Sequence, residues 1–172
     1  MLLEVKRFLD FSDSETLELL VRRGVLTFED SLALRRLMRV ATWPRYDERS
    51  QKLYIATFWG DIFSYDVQKR AWGPTIRSRP GIRSFAVDSE NSLIFAANYY
   101  GGYIDVIDLR SQRTLKYIIA QGLARHINLN PAEKSGILHT KGLGMYRFDY
   151  SDVAASPSGA ILIPQLSRGS GP

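Results

Sequence analysis

A pattern that returns every 41 or 42 residues constrains this chain more than any other feature of its sequence. Asp66, Asp108 and Asp149 stand 42 and 41 residues apart, and each closes a segment of the same form: IFSYD (62–66), IDVID (104–108) and MYRFD (145–149). Upstream of these, KLYIATFWG (52–60) matches SLIFAANYYGG (92–102) and, more weakly, SGILHTKG (135–142), while RSFAVD (83–88) matches RHINLN (125–130). A chain with such a period builds one small unit several times and stacks the copies. The clearest copy runs from residue 82 to 119. It holds four apolar runs, at 84–87, 93–97, 104–107 and 115–119, each long enough for a strand and too short for a typical helix. Between them, 88–92, 99–102 and 110–113 carry the Asp, Asn, Gly and Ser that hairpin turns use.

A repeated four-stranded antiparallel unit of about 40 residues is the signature of a β-propeller blade. The wording resembles the YVTN-type repeat of surface-layer, lactonase-like and nitrite-reductase-d1-like propellers. In the second copy the matching residues are Gly81, then Leu93-Ile94-Phe95-Ala96-Ala97-Asn98, then Ile104-Asp105-Val106-Ile107-Asp108. The match is good over 80–120, fair over 47–79 and 121–150, and absent over 1–41. The resemblance implies a mainly β fold, a partial propeller of about three four-stranded blades. A ring of this type commonly needs seven units, so the expectation is a fragment of a larger propeller. A ring completed by other copies, and blades capped by the N-terminal segment, stand beside that expectation.

Residues 1–42 have a helical pattern and read as a helical hairpin, either a cap or linker for the sheets or a docking element for a partner. Ser12-Asp13-Ser14-Glu15 is a capping-box sequence, Leu17, Leu20 and Val21 form a stripe, and Gly24 suits a left-handed helix end. A second helix is predicted from Thr27, with Leu34, Leu37, Met38 and Ala41 on one face, stopping before Pro44. Blades are expected at 43–164, divided near 43–79, 80–120 and 121–164, with SPSGAILIP (156–164) resembling a turn and strand and 165–172 forming a tail. Trp43–Asp47 reads as a degenerate first copy of the inner strand, disguised by Pro44 and Arg45.

The chain has no Cys, which excludes disulfides, thiolate metal sites and a cysteine nucleophile. Residues 1–50 carry nine basic and nine acidic side chains, so the net charge of +5 falls on the repeats. No basic run exceeds two residues, and nucleic acid is not the favoured partner. Charges at Glu4, Lys6, Arg7 and Asp10 argue against a signal peptide. No apolar stretch approaches the ~18 residues of a membrane span, so a soluble chain is expected, in a compartment the sequence leaves open.

Blade topology would gather Arg79, Arg83, Arg125 and His126 near the axis on one loop face, with Phe58, Trp59, Tyr99, Tyr100 and Lys141 further out. Arg83 and Arg125 hold matching positions in adjacent copies, and paired guanidiniums suit a carboxylate or phosphate. Alternatively each Arg pairs with a nearby Asp and holds blades together. Exposed aromatics could stack a ring or anchor a protein partner. His126 and His139 fall on the first two strands of one unit, but no carboxylate is placed by the repeat to complete a metal site. Neither a metal nor a cofactor is expected. Resemblance to the nitrite reductase domain would imply a haem ligand, yet no CxxCH motif is present. No GxSxG elbow or Gly-rich phosphate cradle occurs. The recurring Asp residues read as turn-forming.

The functional expectation is therefore a non-catalytic module that binds a protein partner or small anionic ligand through Arg83, Arg125, His126, Trp59, Tyr99 and Tyr100. Self-association through open blade edges is a further possibility. The alternative is part of a lactonase-like hydrolase or a cofactor-binding oxidoreductase propeller.

Overall fold

Short runs rich in β-branched and aromatic residues, closed at both ends by turn formers, become strands in each copy. The computed structural model describes residues 13–32, 41–120, 122–142 and 144–153. Three antiparallel sheets follow one another along these residues. The first contains β1 (Ala41–Asp47), β2 (Lys52–Thr57), β3 (Asp61–Asp66), β4 (Ala71–Trp72) and β5 (Ile76–Arg77). The second contains β6 (Ile82–Asp88), β7 (Leu93–Asn98), β8 (Tyr103–Asp108) and β9 (Arg113–Ile119). The third contains β10 (Leu123–Asn130), β11 (Ser135–Lys141) and β12 (Gly144–Asp149).

Two sheets depart from the expected four strands. In the first, Gly73 and Pro74 interrupt the outer strand, so β4 and β5 pair separately with β3. Pro74 has no amide to donate to a ladder. In the third, the place of an outer strand falls after Val153, and both SPSGAILIP and the 165–172 tail lie outside the described residues.

Register defines equivalent positions. Lys52, Leu93 and Ser135 each open a second strand, opposite Asp66, Asp108 and Asp149. The residue just before each of them, Gln51, Ser92 and Lys134, takes a left-handed conformation, with φ of 53°, 56° and 47°. The Asp residues act as the turn reading requires. Asp108 accepts hydrogen bonds from the Arg110 amide (2.8 Å) and the Ser111 hydroxyl (3.0 Å), and Asp149 from the Ser151 amide (2.7 Å). Asp66 accepts from the Lys69 amide at 2.9 Å.

The sheets stack face to face with apolar layers between them. Tyr54, Ala56, Ile62 and Ile76 of the first meet Ile82, Phe85, Ile94, Ala96 and Ile107 of the second. Leu93, Phe95, Ala97, Ile104, Val106 and Ile118 then meet Ala124, Ile127, Leu138, Tyr146 and Phe148 of the third. Strand β6 touches both β1 and β10, so the first strands of the three sheets run side by side along one axis. Polar contacts tie them: Arg45 Nε donates to the Phe85 carbonyl (3.2 Å) and the Ile127 amide to Ser84 Oγ (3.4 Å).

The other face of the first sheet is covered by α1 (Asp13–Arg22) and the turn after it. Leu20 and Leu26 pack on Leu53, Ile55 and Tyr65. Gly24, at φ +70°, ends the helix in a Schellman motif, with Gly24 N bonded to Val21 O (2.9 Å) and Val25 N to Leu20 O (2.9 Å). A second helical stretch starts at 28, capped by Thr27 and Asp30, whose side chains each accept the other's backbone amide. Asp30 also accepts the Tyr65 hydroxyl at 2.9 Å, joining this cap to the sheet. Ala41, predicted to lie on the second helix, instead opens β1 opposite Thr57, because the inner-strand ladder begins before Pro44. Ser12, Leu34, Leu37 and Met38 lie outside the described residues.

Candidate functional site

The loop face is assembled from two turns and two bulges. The β2–β3 turn carries Phe58 and Trp59, and the equivalent β7–β8 turn carries Tyr99 and Tyr100. Gly81 joins them: its amide donates to the Phe58 carbonyl (2.6 Å) and its carbonyl accepts from the Tyr99 amide (2.8 Å). At φ +104°, a Cβ there would lie 2.8 Å from Asn98 Oδ1, so glycine is required on both conformational and steric grounds. The buried Asn98 accepts the Gly101 amide at 2.8 Å and donates to the Pro80 carbonyl, fixing the second turn.

Arg83 and Arg125 both sit at register shifts. In β6 the shift lies between Ile82 and Ser84, and in β10 between Ala124 and His126. A bulge re-aims the extra side chain out of the strict alternation. Both guanidiniums are exposed. They line a cavity of 240 Å³ together with Phe58, Tyr99 and Tyr100. The rings form an edge-to-face chain, with Phe58 at 5.9 Å from Tyr100 and Tyr100 at 5.2 Å from Tyr99. Trp59 extends this chain at 5.7 Å from Phe58, and with 69% of its surface exposed it stands at the rim.

Among the described residues, neither Arg83 nor Arg125 has an ion-pair partner. His126 neighbours Arg125 in β10 and lies directly opposite His139, their rings near parallel at 6.0 Å. Its pKa is lowered, first by burial and then by the charges of His139, Arg125, Arg83 and Arg45. Arg125, Arg83 and Arg45 make the surroundings of this imidazole electropositive among the described residues.

Arg79 behaves differently from the other two arginines. Its guanidinium bonds Asp105 (Nη2–Oδ1 2.7 Å) and lies 3.7 Å from the ring centroids of both Tyr103 and Tyr117. It is a clamp between the first and second sheets, removed from the axis where sequence spacing would put it. Paired charges hold blades together at Arg79, while Arg83 and Arg125 stay open. Of the predicted site residues, Arg83, Arg125, Tyr99 and Tyr100 share the cavity, Trp59 borders it, and His126 lies beside it on the inner strand. Arg45 was missed as part of this positive field because, in the degenerate copy Trp43–Asp47, it does not align with Arg83 and Arg125. Asp105, fully buried, was missed because an acidic residue inside IDVID reads as solvent-facing.

Two larger clefts, of 460 and 380 Å³, open between sheets at the opposite ends of the strands. The first mixes Asp47 and Asp66 with Lys52, Lys69 and Arg110, and the second mixes Glu90 and Asp108 with Arg110 and Lys134, so neither presents one sign of charge. No group of three or more His, Asp or Glu gathers as for a metal among the described residues.

No protein-family model matches the sequence, and no curated protein matches it. Solved structures do. The β-propeller domain of Cps50 (Swd1) from Myceliophteria thermophila superposes with a TM-score of 0.56 at 13% identity, over 64% of this chain and 36% of that one. The fold is that of a β-propeller. Hydrazine synthase from Kuenenia stuttgartiensis is similar at a TM-score of 0.56 and 14% identity, over 67% of this chain and 33% of that one. The partial propeller described here thus spans about a third of each of these structures. No helix among the described residues is long and apolar enough to cross a membrane.

Proposed function

We propose that this chain is a non-catalytic propeller module, part of a larger propeller of the YVTN type, that holds an anionic group or protein partner on its loop face. The observation that carries the reading is the pair of open guanidiniums, Arg83 and Arg125, at equivalent bulges around one aromatic-walled cavity. Two planar forks of donors favour an anion, since charge-assisted hydrogen bonds are the strong ones. Exposed Trp59 and Tyr100 at the rim supply the apolar anchors common at protein interfaces. Among the described residues no strand pairs with the outer edge of β12, and an edge left open there would offer a second route to association, with another copy of the chain.

The test is NMR chemical-shift mapping of the folded chain with an Asp-rich decapeptide. Amides of residues 81–83, 98–101 and 124–126 should shift, less so at higher salt. Replacing Arg83 and Arg125 together by Ala should abolish the shifts. Shifts confined to the two opposite clefts would overturn the reading.

A further inference from the structure

Three properties of the cavity narrow what it holds. Its charge is the first. Arg83 and Arg125 line it without a carboxylate among the other lining residues, and Arg45 adds to the positive charge acting on the neighbouring His126. A monoanion would leave one guanidinium uncompensated, whereas a phosphate monoester carries between −1.5 and −2 and three acceptor oxygens. The second is size. At 240 Å³ it falls below the roughly 300–1,000 Å³ of pockets for drug-sized ligands and suits one side chain. The third is the wall: Phe58, Tyr99 and Tyr100 form one linked aromatic surface, and rings pack edge to face on such surfaces.

We propose that the cavity takes an aryl phosphate, the phosphotyrosyl side chain of a partner polypeptide, with its phosphoryl group between Arg83 and Arg125 and its ring against Phe58 and Tyr100. The flanking peptide then crosses the rim at Trp59. This rests on the loop-face reading above and specifies the group recognised there.

Calorimetric titration of the full chain with phenyl phosphate, inorganic phosphate, phosphoserine and phenylacetate tests it. Phenyl phosphate should bind about tenfold more tightly than each of the other three. Arg83→Ala and Arg125→Ala should each weaken it about tenfold, while Arg110→Ala, on the opposite face, should leave it unchanged. Tyr100→Ala should erase the advantage of phenyl phosphate over inorganic phosphate without changing the affinity for inorganic phosphate. All four positions are exposed, and circular dichroism checks that the fold is kept. Phenyl phosphate binding no tighter than inorganic phosphate would overturn the aryl assignment, leaving a phosphate site only. Phenylacetate binding equally well, or the Asp-rich peptide binding where phenyl phosphate does not, would overturn the phosphate assignment while the loop-face reading stands. Binding indifferent to both arginines, or no binding of any probe, would overturn the proposal outright.

Discussion

The first and third sheets are built on the same framework but turn different chemistry outward. On the first, the face away from the second sheet carries Leu53, Ile55 and Tyr65, all buried under Leu20 and Leu26. On the third, the face away from the second sheet is by register the opposite face of the framework, and it carries Ile137 and Met145, 45% and 56% exposed, with His126, His139 and Arg147 beside them. Register makes the contrast sharper within neighbouring copies. Ile137 occupies the position of Phe95, His139 that of Ala97, and Arg147 that of Val106, and those three are fully buried in the second sheet. The turns, their Asp residues and the left-handed positions before each second strand repeat regardless. The framework thus specifies that a sheet forms, and the alternating side chains specify what is stacked on it.

This contrast can be broken by substitution. Leu53→Ala should cost about 2–5 kcal/mol in urea unfolding, since its side chain is fully buried between β2 and the helical segment. Next in size is Tyr150→Phe. The Tyr150 hydroxyl donates to Asp88 at 2.7 Å in a buried site, tying the chain after β12 to the second sheet. Loss of a hydrogen bond to a charged group there should cost about 1.5–3 kcal/mol. Burial and then the Asp88 carboxylate push the Tyr150 phenol well above its ordinary range, so this bond should persist through mildly alkaline conditions. Ile137→Ala should change stability by only about 0.5 kcal/mol, as surface substitutions do. A cost near that of Leu53→Ala would show that the outward face of the third sheet is covered in solution.

The smallest effect is protonic. The folded-state pKa of His126 lies below its ordinary 6.5, so the unfolded chain binds the proton more readily. Its contribution to stability is complete above that ordinary value and is lost as pH falls through the folded value. His126→Gln should flatten the fall of the unfolding midpoint as pH drops below the ordinary histidine value of about 6.5. In an NMR titration, Arg83→Ala should raise the His126 midpoint.

Much of this architecture was legible because it depends on local chemistry that repeats. The Asp at the end of each third strand, Gly24 at the helix end, and Thr27 as a cap announce themselves by residue type and spacing. Other features gave no such signal. Gln51, Lys134 and Arg70 adopt positive φ just before a strand, and their residue types, unlike Gly or Asn, do not announce that conformation. Arg79, Arg83 and Arg125 look alike in the sequence, and what separates them is a single buried carboxylate, Asp105, which lies 26 residues from the first of them. The interruption of the first sheet's outer strand does carry a mark, Gly73-Pro74, which the expectation of four equal strands passed over, and the chain resumes the ladder at β5.

The clamp at Arg79 has a mechanical consequence. Its loop leaves the first sheet at β5 and enters the second at β6, and its guanidinium sits in the angle between the rings of Tyr103 and Tyr117, whose planes lie 68° apart. Any hinge opening between these sheets must first pull a cation off two aromatic faces and away from Asp105. The two turns bearing Phe58 and Tyr99, already bridged through Gly81, are thereby kept at a fixed span, like the jaws of a locked calliper.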